Sequence, residues 1–312
     1  MRLLITSLFL IFCFGSYAQS ILHFTRTSGW DHNTRDQSFA LFTDIANEIG
    51  ATVVDDATGD QFTDLSNLLQ FDVIVFSNTS GNAILTTEQQ QHFETFIANG
   101  GSVMGIHAAS DTYRHSTANG NATGTWDYYA ELMGASVQEN PNHVAGTPEY
   151  AMQHMLPHAS TANVPDPWVK NEEYYYWEGG YFAPDNSVVL MVEETVGPNG
   201  LVNSYDAARA MSWYRQLPGG RLFYTALGHA PSNFESDATF RTHITDALLW
   251  LLDGTTAISN VHLPAVSFYP NPANERLSVS CTTEQFGSLI TVTDAIGRMV
   301  LEQRVEGSTN TV

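Results

Sequence analysis

The 312-residue chain carries 33 Asp plus Glu against 12 Lys plus Arg, a formal net charge of −21, and Lys170 is its only lysine. So acidic a surface repels phosphate backbones, which excludes nucleic acid as an expected partner, while the length allows one large domain and a small second one. Cysteine is confined to Cys13 and Cys281, so the mature chain is expected to be held by packing without an internal disulfide.

Arg2, the apolar run Leu3–Phe14 and the small residues of "GSYAQS" read as a secretory signal, residues 1–18, cleaved after Ala18. A membrane span needs about 20 apolar residues, so this run is too short and the chain is not expected to be an integral membrane protein. Ile21–Thr25 is a short apolar strand. A helical stripe of Phe39, Phe42, Ile45, Ala46 and Ile49 follows, with Gly50 in the C-cap position. "ATVVDDA" and "FDVIVFSN" (71–78) are the next strands, the second apolar enough to be covered on both faces. Thr87-Glu88-Gln89-Gln90 predicts a capping box, Phe93, Phe96 and Ile97 the buried stripe of its helix, and Asn99-Gly100 the end. "SVMGIHA" is the fourth strand. Strand and helix alternating at these intervals predict an α/β domain with a doubly wound parallel sheet.

After Ala109 the pattern loosens. A Gly, Asn and Thr-rich loop (116–125) leads to a helix in "WDYYAELMGA", and strands are expected at 148–153, 172–177 and 187–195. "ARAMSWYRQLPGGRLFYTALGH" reads as a hairpin turning at Pro218-Gly219-Gly220. The last helix carries Phe240, Ile244, Leu248, Leu251 and Leu252 and stops at Gly254, so the core domain is expected to span 20–254. Residues 255–266 form a polar linker, and 267–312 alternate at strand period as a small all-β, sandwich-like domain.

In an open α/β sheet, ligands bind beyond the carboxyl ends of the strands, near the point where strand order reverses. His32, His107 and His229 fall at three such ends, with Asp31 and Asp111 beside two of them. His107 stands where a strand-to-helix turn would present a Ser or Cys nucleophile in many α/β enzymes. Each histidine could be structural, but their coincidence at strand ends favours a site. Glu172 and Glu173 precede Tyr174, Tyr175, Tyr176 and Trp177, an acidic-aromatic run suited to a sugar, with core aromatics and solvated acids as the bland alternative. By strand alternation, Glu173 and Tyr175 share one face, so only one of the two acids should enter a pocket. Three imidazole nitrogens and a carboxylate suit Zn²⁺, whereas two histidines with water suit acid–base chemistry without metal.

"HFTRTSGWDH", "GGSVMGIHAASDT" with "WDYYAELMGA", "NEEYYYW" and "GGRLFYTALGH" together resemble the trehalose utilisation (ThuA-like) family over about residues 20–254. The resemblance implies a flavodoxin-like fold similar to class I glutamine amidotransferases, and a link to carbohydrate metabolism. The amidotransferase cysteine is replaced by His107, so thioester chemistry is not expected. By position, His32, His107, Glu173 and His229 match pocket residues of the family. "FYPNPANERLSV" followed by "VTDAIGRMV" resembles the C-terminal sorting domain of type IX secretion in Bacteroidetes, here read as incomplete because a final "GIY"-like strand is missing. The implied partner is the type IX machinery and the implied location the cell surface or exterior.

The resulting expectation is a secreted enzyme acting on a sugar or keto-sugar by acid–base chemistry. His107, Glu173 and Asp111 are the candidate catalytic residues, and His32, Trp30, Tyr175, Trp126 and His229 the candidate binding residues. His32, His107 and His229 are the candidate ligands of a divalent metal ion. The alternative is a non-catalytic carbohydrate-binding protein.

Overall fold

Alternating side chains of one strand set both faces of the sheet. The computed structural model describes residues 19–120, 124, 126–192, 208–253, 267–269, 278–280, 289–293, 299–307 and 309–311. The predicted signal segment, the linker 255–266, Cys13 and Cys281 lie outside them, as do residues 121–123 and 125 of the predicted loop and 193–195 of a predicted strand. In β1 (Ser20–Phe24), His23 packs on Phe39 and Phe42 of α1 (Arg35–Ile49), which Gly50 caps. Its neighbour Phe24 points to the opposite face, against Phe62 and against Phe76 of β3 (Val73–Ser77); β2 (Thr52–Asp56) lies between α1 and β3 in sequence. A one-turn helix, α2 (Leu65–Leu68), precedes β3, and α3 (Thr87–Ala98) brings Phe93 onto Phe76. With α1 on one face and α3 on the other, the sheet is covered twice.

β4 (Ser102–Ile106) pairs in parallel with β3 and with the strand Arg221–Thr225. The parallel order is β2, β1, β3, β4, Arg221–Thr225, the flavodoxin-like 2-1-3-4-5 arrangement. Four antiparallel strands extend it: Arg209–Gln216, Ser187–Val192, Glu149–His154 and Trp168–Asn171. The last helix runs Ala238–Asp253 and buries Phe240, Ile244, Leu248, Leu251 and Leu252 as predicted. The chain divides into two units, 1–256 and 257–312. In the second, the described elements are strands: a three-stranded antiparallel sheet of Ser267–Tyr269, Ser278–Ser280 and Thr309–Thr311, and a pair of Leu289–Thr293 with Met299–Arg304. Among the described residues no helix is long and apolar enough to cross a membrane.

Two local expectations are corrected. The capping box sits one residue earlier, where Thr86 Oγ1 accepts from Gln89 N (3.3 Å) and Gln89 Oε1 from Thr86 N (2.8 Å). Either threonine can cap, but Gln89 is fixed by its bond to Gly59 O at 2.7 Å, which selects Thr86. The predicted strand 172–177 is displaced: the strand is Trp168–Asn171, and the segment after it leaves the sheet to pair irregularly with residues 142–144.

Two buried histidines are structural. His23 Nε2 lies 2.8 Å from Ser38 Oγ and Nδ1 2.9 Å from Asp55 Oδ1, a triad-like spacing, but His23 and Ser38 are fully enclosed and no substrate could reach the hydroxyl. His243 Nδ1 lies 2.9 Å from Ser160 O, and Nε2 3.2 Å from Thr225 Oγ1. Burial pushes His243 down from the ordinary 6.5 to about 4. The unfolded chain therefore takes up its proton first as pH falls, so stability present above pH 6.5 is lost between 6.5 and 4, by roughly 3 kcal/mol for this group. Urea unfolding at pH 7 and pH 4.5 checks this: His243→Gln should flatten the pH dependence, and an unchanged dependence would contradict the assignment.

Candidate functional site

The carboxyl ends of the parallel strands deliver three imidazoles to one point. His32 comes from the loop after β1, His107 from the end of β4, and His229 from the turn after Arg221–Thr225. His107 has φ 48°, a left-handed backbone that is costly for a residue with a Cβ and recurs where a turn must present a side chain. Close packing under this elbow requires Gly105, because a Cβ there would lie 2.6 Å from Met133 Sδ. Gly228 is required for two reasons: its φ is 110°, and a Cβ would meet Ile106 Cγ2 at 2.8 Å.

Glu173, just beyond the strand Trp168–Asn171, closes the group. Its Oε2 lies 3.1 Å from His107 Nε2, 3.3 Å from His229 Nδ1 and 3.7 Å from His32 Nε2. One ligand atom from each of the four residues lies within 4.8 Å of the others. The rings meet edge-on, with centroids 4.8 Å apart for His32 and His107, 5.2 Å for His32 and His229, and 5.3 Å for His107 and His229. His107 Nδ1 is 2.7 Å from Ala226 O. A carbonyl only accepts, so Nδ1 carries a proton, and Nε2 faces Glu173 either with its lone pair or, in the imidazolium form, as a second donor that stabilises the carboxylate. Tyr175 OH also reaches Nε2, at 3.0 Å. His32 Nδ1 is buried without a partner, and His229 Nδ1 lies close to Glu173 but off the line of a hydrogen bond.

Burial alone would raise the Glu173 carboxyl, yet the imidazoles of His107, His229 and His32 hold it far below the ordinary carboxylate range. Burial pushes His32 down against the pull of Glu173, while the Glu173 carboxylate draws His229 up. One acid thus stays ionised in a half-closed site and polarises the rings around it.

The remaining predicted residues divide. Tyr175 stacks face to face on His107 (4.4 Å, 18°), so this ring supports the imidazole and that face is closed to a sugar. Trp30, two residues before His32, is 71 % exposed. Asp111 pairs with Arg114 Nε at 3.3 Å, and burial raises its carboxyl, but it stands outside the four-residue group. Trp126 is corrected: it is buried against Phe93 and Tyr113, and its indole N–H donates to Glu94 (2.7 Å), because it seats the helix Asp127–Met133 on α3.

The sequence reading passes over His143 and Asn78, and it misses the partners of Glu172. His143 Nε2 lies 3.2 Å from Glu173 Oε1, with Nδ1 donating to Val144 O at 2.7 Å, and it is partly open to solvent. Its loop is joined to the 174–176 segment by Val144 N to Tyr174 O (2.9 Å) and Tyr176 N to Asn142 O (3.0 Å), a tertiary pairing that spacing does not reveal. Glu172, 2 % exposed, points the other way from Glu173. It accepts from Gly228 N (3.1 Å), His229 N (3.2 Å) and Asn233 Nδ2 (3.0 Å), and lies 3.7 Å from Lys170 Nζ. The two adjacent acids were legible as a pair with opposed directions, but the structural partners of Glu172 were not.

A family model described as trehalose utilisation, ThuA, matches residues 20–251. The chain belongs to the ThuA family. A second model, a secretion system C-terminal sorting domain, matches residues 267–312; it supports secretion or a cell-surface location and implies contact with the secretion machinery. The fold is similar to that of a ThuA-like protein from Bacteroides uniformis (20% identity, TM-score 0.60, covering 76% of this chain and 93% of that one). It is also similar to a ThuA-like protein from Parabacteroides merdae (15% identity, TM-score 0.55, 77% and 92%). Among curated proteins none matches the chain.

The two neighbouring acids should respond differently to substitution. Glu172→Ala leaves the donors Gly228 N, His229 N and Asn233 Nδ2 without their acceptor, while Lys170 keeps Asp237, and is expected to cost about 3 kcal/mol, whereas Glu173→Gln should cost less than about 1 kcal/mol because its imidazole partners can turn or neutralise. Urea unfolding of both variants at pH 7 checks the contrast, and equal losses would contradict it.

Proposed function

We propose that this ThuA protein is a secreted carbohydrate-acting enzyme whose reactive centre is His32, His107, Glu173 and His229, assisted by a divalent metal ion. The observation that carries this reading is the contact of His107 Nε2 with Glu173 Oε2 at 3.1 Å. With Nδ1 held as a donor to Ala226 O, a lone pair and a carboxylate oxygen face each other there, an arrangement that asks for a proton or a cation between them. The separations of 3.1, 3.3 and 3.7 Å around Oε2 are close to the edge of about 3.3 Å expected for a tetrahedral ion with bonds of 2.0–2.1 Å.

Three neutral nitrogens and one carboxylate suit Zn²⁺ or a similar borderline ion. Such an ion supplies Lewis acidity toward a sugar oxygen, or a water of lowered pKa. His143 and Tyr175 border the same carboxylate and ring and are left to move protons, while the exposed Trp30, two residues before His32, is available to a sugar face. The sugar class rests on the family description, trehalose utilisation. A binding-only role draws less support: Tyr174, Tyr175 and Tyr176 are all buried, so of the aromatic residues named for binding only Trp30 is exposed.

The test measures bound metal, melting temperature and binding of disaccharides and their keto forms, for the wild type and His107→Ala together. The wild type is expected to hold about one divalent ion per chain, and the variant to lose at least tenfold in affinity; because His107 is fully buried and bonded to Ala226 O, some loss of melting temperature accompanies it, and the binding decides. If His107→Ala melts several degrees lower while metal and sugar binding stay as they were, His107 is structural and the reading fails.

A further inference from the structure

Three of the four site residues sit on separate loops, and one side chain joins those loops. Asn78 follows β3 at the reversal of strand order, is 4 % exposed and has φ 52°, a backbone that asparagine tolerates better than most residues. A primary amide offers two N–H donors and one acceptor oxygen. Asn78 Nδ2 donates to Thr34 Oγ1 and to Gly228 O, each at 2.9 Å, and its Oδ1 accepts from Ala108 N at 3.3 Å. Because the Gly228 carbonyl can only accept, the orientation of the amide is determined.

Thr34 lies two residues beyond His32, Ala108 directly follows His107, and Gly228 directly precedes His229. Each polar function of the amide is therefore committed to a different histidine-bearing loop. Glu173 meets the three rings themselves; among the described residues Asn78 ties the backbones that carry them, whereas Glu172 holds residues 228–229 and Asn233, and Ala226 O orients His107.

We propose that Asn78 is the positioning residue of the centre, the group that sets His32, His107 and His229 relative to one another. This rests on reading those histidines as the reactive centre. It predicts that the three rings move together when the amide is changed.

Asn78→Asp tests this, since it keeps the size, the left-handed tolerance and one acceptor but, when ionised, has no N–H to give. In the metal-free full chain, the side-chain NMR resonances of His32, His107 and His229 should shift together while those of the enclosed His23 and His243 stay in place. Co²⁺ affinity should fall about tenfold or more. Thr34→Val, a near-isosteric change that removes a single tie, should move His32 and leave His107 and His229, and it carries the test if Asn78→Asp does not fold. The proposal is overturned if the Asn78→Asp chain unfolds cooperatively with the three resonances unmoved or only one displaced, or if Thr34→Val leaves His32 unchanged. A wild type that binds no Co²⁺ overturns the metal assignment of the centre, and the resonances then decide the role of Asn78 by themselves.

Discussion

Holding an ionised carboxylate inside a protein is the constraint around which this ThuA domain is arranged. An unpaired buried carboxylate would take up a proton, and Glu173 remains charged only because imidazoles surround it on both oxygens. No short stretch of chain can supply them. The flavodoxin-like strand order brings loops distant in sequence to one edge of the sheet, and the segment 172–177 leaves the sheet to lower Glu173 into their midst.

The site is braced mainly through backbone. Glu172 fixes the 228–229 turn, Ala226 O fixes the tautomer of His107, and Asn78 links the loops that surround them. Such outer contacts determine how accurately donor atoms converge, and a centre built from four chain segments depends on them more than one built on a single helix. Of the four positive φ values at non-glycine residues among the described residues, those at Asn33, Asn78 and His107 cluster beside the same strand ends, the fourth being Tyr113. Local backbone strain and the candidate chemistry therefore coincide.

The parallel half of the sheet was legible because each strand is a short apolar run and each helix carries its own stripe and end signals. His32, His107 and His229 were legible for the same reason: they follow runs whose ends are clear. Glu173 was found as half of a pair, even though the strand assigned to it lies four residues earlier, because the two side chains still diverge outside a strand. Trp126 was misplaced because an aromatic after a polar loop looks the same in sequence whether it faces a pocket or seats a helix. His143 and Asn78 had no local signal, since their roles arise only where distant loops meet.

The single lysine adds a consequence for the chain outside the cell. Lys170 Nζ is enclosed between Asn233 (2.8 Å) and Asp237 (2.6 Å), over the ring of Phe240. The surface therefore presents no lysine amine, the group with which the open-chain aldehyde of a reducing sugar condenses. A protein working among such sugars would lose function slowly by glycation if its surface were rich in lysine. Here the acidic exterior that keeps the chain soluble also leaves that adduct no lysine on which to form.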